Sequence, residues 1–275
     1  MLLKFKLILL SLILGASLGI FSWQADLYFY VLIFILLFNI FLVWPLVQKI
    51  RFLAIPFFLS IGSLNLLYLV DGKNEIILFI LLAVSVHYLS LLGAYRLKKY
   101  DCDQTAQGMI NLATIVTIFF WFVSNYGWYL NFAIDSWILV VTFVASTFWI
   151  AFPSLTICFV SCYKINYRQQ KKSQMRSEKE FLIAFKQQLK IQKIALFFSF
   201  IIAFIMGEVI WGLSFWPFGY LTTGMTVVLL FFFFWSIIRQ FIKKQLTKRI
   251  IIVNIIIVII LIGLMILTSP WEIIS

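Results

Sequence analysis

Charge is scarce in this chain: Asp, Glu, Lys and Arg make up 12% of its 275 residues, where a soluble domain carries roughly 25%. That shortfall excludes a water-soluble fold, because no stretch is both long and polar enough to fold alone in water. Acids are the scarcer sign, ten against 22 Lys and Arg, which leaves a formal charge of +12. In a chain that is 64% hydrophobic, such an excess sets topology and meets anionic lipid headgroups; it does not point to nucleic acid. Cysteine and histidine are nearly missing, three and one respectively. Cys102, Cys158 and Cys162 form no zinc-ligand pattern with His87. Cys158 and Cys162, four apart on one helical face, have poor disulfide geometry and read as free thiols filling packing space.

Catalytic motifs are lacking as well. No Walker loop, HExxH, GxSxG or paired-carboxylate motif occurs, so no catalytic residue, metal or cofactor is expected. Asp101-Cys102-Asp103 comes nearest to a carboxylate pair and reads as a solvated loop beside Arg96, Lys98 and Lys99.

Long apolar runs are what the chain has in abundance. A spanning helix needs about 20 mostly apolar residues, and cutting at charges and turn residues leaves nine segments: 7–23, 27–47, 52–70, 76–95, 109–130, 137–162, 194–214, 219–238 and 250–268. The runs are continuous rather than alternating, which favours helices over a barrel. The expected fold is all-α, a polytopic transmembrane bundle of about nine spans forming one membrane domain over residues 1–275. With the amino terminus inside, every Lys and Arg except Lys73 falls on the cytoplasmic side, while Asp26, Asp71, Glu75, Asp135 and Glu272 fall outside. The carboxy terminus is then outside. Trp23, Trp44, Trp128, Trp137, Trp211, Trp216, Trp235 and Trp271 lie near predicted ends, as expected of indoles at the headgroup level, whereas Trp121 and Trp149 lie mid-span. Lys4 and Lys6, a short apolar run and Gly15-Ala16-Ser17 also fit a cleavable signal peptide, which would leave eight spans and the same orientation. Gly15 and Gly19 have GxxxG spacing and read as ordinary close packing.

Between the sixth and seventh runs lies a basic loop, 163–193, expected in the cytoplasm. Ser177-Glu178-Lys179-Glu180 has capping-box spacing. A helix over 177–193 puts Phe181, Leu182, Phe185 and Leu189 on one side and Lys186, Lys190 and Lys193 among the polar positions. The stretch therefore reads as an interfacial helix touching anionic lipid, with a solvated charged linker as the alternative.

An ionisable residue inside a span is the first place to look for function, because charge in hydrocarbon is costly. Glu208 and His87 qualify. Glu208 reads either as a proton- or cation-exchanging group or as a neutral carboxyl bonded across a helix interface facing the bundle. His87, among Ser85, Tyr88 and Ser90, reads foremost as a packed histidine. Helical rise sets the two at depths within about 7 Å of each other. Asn65 and Asn125 complete a set of polar residues toward the outer ends of the odd spans. Trp128-x-Leu130-Asn131-Phe132 and Trp211-x-Leu213-Ser214-Phe215 repeat one pattern three residues after Asn125 and Glu208, as a duplicated helical hairpin or an aromatic belt would.

From Gly207 onward the order Glu208, Trp211, Leu213-Ser214-Phe215, Pro217-Phe218, an apolar run, the basic loop 239–249 and a last span closing at Trp271 resembles an uncharacterised family of multi-pass membrane proteins from candidate-phyla bacteria. The resemblance covers about residues 194–271 and implies a bacterial cytoplasmic (inner) membrane; it carries no activity, substrate or cofactor. Three function classes follow. The first is a non-enzymatic membrane component with the bilayer and a protein partner or second copy as its contacts. The second is a small-solute or ion-coupled transporter centred on Glu208, and the third a membrane-embedded transferase. The first is preferred, because carriers use broken spans and only Pro56 and Pro153 interrupt span interiors here.

Overall fold

The computed structural model describes residues 2–47, 50–99, 103–132, 135–170, 178–216, 219–242 and 245–268, with side chains described for the same residues except 2–4, 47, 50–51, 158–170, 178–191 and 268. Among them every regular element is helical: α1 (Leu2–Trp23), α2 (Tyr28–Phe38), α3 (Trp44–Val47), α4 (Ile50–Leu67), α5 (Lys73–Lys99), α6 (Gln104–Phe132), α7 (Ser136–Gln170), α8 (Glu178–Leu213), α9 (Tyr220–Ile242) and α10 (Lys248–Thr268). A 3₁₀ turn, Ala25–Leu27, leads into α2, and a π turn, Asn39–Val43, joins α2 to α3. The π turn falls just before Pro45, whose ring denies the carbonyl of Phe41 its usual donor four residues on.

Among the described residues, eight segments are long and apolar enough to cross a membrane, with the 3₁₀ turn, α2, the π turn and α3 together forming one of them, Ala25–Leu46. The third expected span, 52–70, ends earlier than its hydropathy suggested: α4 closes at Leu67, and its 18 residues rise about 27 Å at 1.5 Å per residue against a hydrocarbon core of about 30 Å. Its position explains how it can be short. α4 packs on α1, α2, α3, α5, α6 and α7, and Ile55, Leu59, Ser60, Ser63 and Leu64 are fully buried. A helix wrapped by others leaves its ends in protein, not in acyl chains.

Contacts between ends fix the alternation of the helices. At one end, Lys98 of α5 donates to the carbonyl of Leu46 in α3 at 3.3 Å. At the other, Tyr28 opening α2 donates to Asn65 of α4 at 2.7 Å, the indole of Trp128 in α6 donates to the Asn65 carbonyl at 3.2 Å, and Tyr126 of α6 donates to the carbonyl of Leu213 closing α8 at 3.4 Å. The first is called the basic end below.

Two cores share α4 and α6. One joins α1–α5 through residues such as Leu14, Ile35, Leu59 and Leu91; the other joins α6–α9 through Phe122, Phe143, Ile202, Met206 and Phe231. Gly62 permits a close backbone approach of α4 to α6, since a Cβ there would stand 3.1 Å from the backbone nitrogen of Trp121. Among the described residues α10 packs chiefly against α9 and shows most of its isoleucines to the outside.

The first segment is a helix throughout, Leu2–Trp23, and Gly15 receives Val84 of α5 where its own Cβ would have been. α8 runs unbroken from Glu178 to Leu213, so residues 178–193 are helical. Ser177, Asp101, Cys102, Trp271 and Glu272 lie outside the described residues, as do the side chains of Lys186, Lys190, Cys158 and Cys162.

Candidate functional site: a groove between α7 and α8

α7 and α8 form the most extensive helix pair, and the pair closes tightly at Gly207, where an added Cβ would overlap the Val144 side chain. Small residues allow such approach. Successive helical residues point about 100° apart, so seating Gly207 on α7 turns Glu208 around the helix to the outer face. The expectation that Glu208 faces into the bundle is therefore corrected: the side chain is exposed. It belongs to a groove of about 530 Å³ walled by Val140, Val141, Val144 and Ala145 of α7 and by Phe204, Gly207 and Trp211 of α8. Phe204, Glu208 and Trp211 follow one another at helical spacing, and Trp211 and Phe215 are exposed and meet edge to face at 5.7 Å. Glu208 lies five residues from the end of α8, about 7.5 Å along the axis. Apart from this carboxyl the wall is apolar.

His87 is elsewhere. It is fully buried, its Nδ1 3.3 Å from the Ser11 hydroxyl of α1 and its ring centre 6.2 Å from that of Phe38 in α2. Ser11 spends its proton on the Leu7 carbonyl at 3.1 Å, so the consistent tautomer carries the histidine proton on Nδ1 and donates it to Ser11. Nε2 then has no partner. α5 packs on α1, α3, α4 and α6, whereas α8 packs on α7 and α9; His87 and Glu208 are not brought together.

The two asparagines differ. Asn65 is the hub at which Tyr28 and Trp128 meet. Asn125 returns its amide to the Trp121 carbonyl of its own helix at 2.6 Å. The repeated Trp patterns are also unlike in space, since Trp128 is drawn into an aromatic group with Tyr28 and Tyr68, each at 5.4 Å, and Trp211 is exposed. Trp23 and Trp137 are exposed as indoles at a boundary would be, but Trp235 is buried and donates to Ser154 at 3.1 Å.

Asp103 settles the reading of its loop. It caps α6, accepting from the amides of Thr105 at 3.0 Å and Ala106 at 3.2 Å, and pairs with Arg96 at 2.7 Å. Burial alone would raise its carboxyl, but the Ala106 amide, the Arg96 guanidinium and the Thr105 amide outweigh it and hold the carboxyl below the ordinary aspartate value.

Residues 182–268, most of α8 with α9 and α10, match the model of a family described as a protein of unknown function, DUF5656. No curated protein and no solved structure matches the chain. The match overlaps the stretch from Gly207 onward whose order resembled an uncharacterised family, and it includes Glu208 and Trp211 but not the Val140, Val141, Val144 and Ala145 wall of the groove.

Proposed function

We propose that this chain is a non-enzymatic component of a bacterial cytoplasmic membrane that holds a partner transmembrane helix in the α7–α8 groove. The observation that carries this reading is an exposed carboxyl, Glu208, in an otherwise apolar groove. An acidic residue at the centre of a lipid-facing span costs about 2.5–3.5 kcal/mol even on the mildest scale, and Glu208, nearer the end of α8, carries part of that cost. A partner helix presenting a basic, hydroxyl or amide side chain would offset that cost, and the exposed Val141 and Ala145 of the wall suit the close approach of a second backbone. A carrier would need its carboxyl to meet water along a path through the bundle, whereas this groove opens sideways.

The basic connections face the cytoplasm in this reading, with Lys186, Lys190 and Lys193 of the long α8 touching anionic headgroups just beyond its apolar segment, Gln192–Leu213. A single cysteine at Gln174 labelled from outside intact cells by an impermeant reagent would reverse that orientation.

The groove is tested with a photocrosslinking residue at Val141 in the native membrane. A polypeptide adduct that survives Glu208→Gln and disappears in Glu208→Leu is expected; an adduct of twice the chain mass would make the occupant a second copy. Lipid adducts alone would end the helix reading. Solute flux in reconstituted vesicles that Glu208→Gln abolishes would favour a carrier instead.

A further inference from the structure

At the basic end, α9 and α10 diverge around a polar cleft of about 370 Å³ that no sequence motif announces, lined among others by Phe232, Trp235, Ser236, Arg239, Gln240 and Gln245. Its floor is rigid. Trp235 is buried, donates to Ser154 of α7 at 3.1 Å, and Ser154 donates to Asn111 of α6 at 3.2 Å. The Arg239 guanidinium lies 5.2 Å over the Trp235 ring, which fixes the cation at the mouth and leaves its N–H fork to an acceptor. Beside it, Gln240 gives its amide to Ser236 at 3.3 Å. The Gln240 side-chain oxygen is buried and takes no hydrogen bond, an acceptor awaiting a donor.

Charge says what kind of ligand the cleft suits. Arg239 makes no ion pair among the described residues. The sequence holds no Asp or Glu between Glu208 and Glu272, but has Arg239, Lys243, Lys244, Lys248 and Arg249 in that interval. The counter-ion must come from outside this part of the chain. We infer that the α9–α10 cleft binds the phosphodiester of a hydroxyl-bearing headgroup, with phosphate on Arg239 and a ligand hydroxyl donating to the Gln240 oxygen. Planar N–H forks match phosphate oxygens, the apolar faces of Phe232 and Trp235 take the adjoining glycerol and first methylenes, and the position at the end of α9 is that of a headgroup. Phosphatidylglycerol has this chemistry; so does a soluble glycerophosphodiester.

The test is native mass spectrometry of the full chain released from mixed micelles of phosphatidylglycerol, phosphatidic acid and phosphatidylcholine, with thermal unfolding of each variant as the folding control. The expected result is one phosphatidylglycerol retained in preference. Arg239→Gln should reduce retention at least tenfold and Arg239→Lys partially, because a point charge replaces the fork. Gln240→Leu should erase the preference for phosphatidylglycerol over phosphatidic acid, which lacks the headgroup hydroxyls, while leaving phosphate binding. Lys73→Gln, at the opposite end, should change nothing. Competition by soluble glycerophosphoglycerol at matched concentration would keep the phosphodiester site and assign it to a soluble ligand. Equal retention by Arg239→Gln, or an equal loss on Lys248→Gln showing a diffuse basic surface, would overturn the site. Gln240→Leu and Arg239→Lys keep the test decisive if Arg239→Gln does not fold.

Discussion

The hydroxyl of Tyr28 donates to the side-chain oxygen of Asn65 at 2.7 Å, joining the start of α2 to the end of α4 across 37 residues of sequence. Trp128 adds α6 by donating to the carbonyl of the same asparagine, and the Tyr28 and Trp128 rings lie 5.4 Å apart. Three helices are thus locked at one end through one residue.

Tyr28→Phe removes a donor and leaves the ring packing in place, and Asn65→Leu removes the acceptor. Hydrogen bonds between transmembrane helices average about 0.6 kcal/mol with a maximum near 1.7 in double-mutant cycles, and each single change should cost about that much. Unfolding in mixed micelles should show the two losses to be non-additive. Additive losses would mean that the pair is not coupled.

Asp103 supplies a second prediction because its two roles separate. Asp103→Asn keeps an oxygen for the α6 amides and loses the pairing with Arg96, whereas Asp103→Ala loses both. The alanine variant should be less stable by about 0.5–2 kcal/mol, the usual range for a lost N-cap, and the asparagine variant should lie close to the parent, since an ion pair with Arg96 at 36% exposure adds little. The carboxyl is held below its ordinary value, so its contribution is complete above the unfolded-state value near 3.8 and fades as pH falls through the lower folded one. The gap between parent and Asp103→Ala should therefore be flat from pH 7 to 5 and narrow only below about pH 4.

How much of this could be read from residues alone follows from what each signal measures. Continuous apolar runs report burial in hydrocarbon, and they located each of the eight described segments long and apolar enough to cross. They do not distinguish lipid from neighbouring helices, which is why α4 was expected to reach residue 70 although it ends at Leu67. Glu208 went the other way. The cost of a carboxyl in lipid argued for an inward side chain; the approach of the Val144 side chain to Gly207 is what turns Glu208 outward. Trp235 near a span end looked like a boundary indole, but its partner Ser154 lies on a distant segment with no pattern linking the two. The cleft built on it could not be found along the chain for the same reason.

Gly62 offers a packing prediction. A Cβ there would meet the backbone of Phe120 and Trp121 at 3.1–3.3 Å, so the obstacle is main chain and cannot rotate away. Gly62→Ala requires α4 and α6 to part by a few tenths of an ångström, which its gain in helix propensity of about 1 kcal/mol partly offsets; a loss of about 1 kcal/mol or less is expected. Gly62→Leu exceeds what the interface can yield, and overpacking of this kind costs about 1–3 kcal/mol or more. Unfolding curves of the two variants should differ clearly. Equal stability would mean that α4 and α6 are not in contact here.

His87 gives the last prediction, and it separates packing from function. Its Nδ1 meets Ser11 at 3.3 Å, but Nε2 is buried without a partner. An unmet buried polar atom costs about 1–3 kcal/mol, whereas replacing it by hydrocarbon of similar shape can be neutral or stabilising. Phe38 already lines one side, and Ser11 keeps its bond to the Leu7 carbonyl whether or not the imidazole is present. His87→Phe should therefore fold with stability equal to or above the parent, and crosslinking through the α7–α8 groove should be unchanged, since α5 does not pack on α8. His87→Ala should lose about 2–4 kcal/mol through the cavity left behind, by analogy with other large-to-small core changes. A folded His87→Phe protein that loses groove crosslinking would show that the histidine acts in function and that the two halves communicate through α4 and α6.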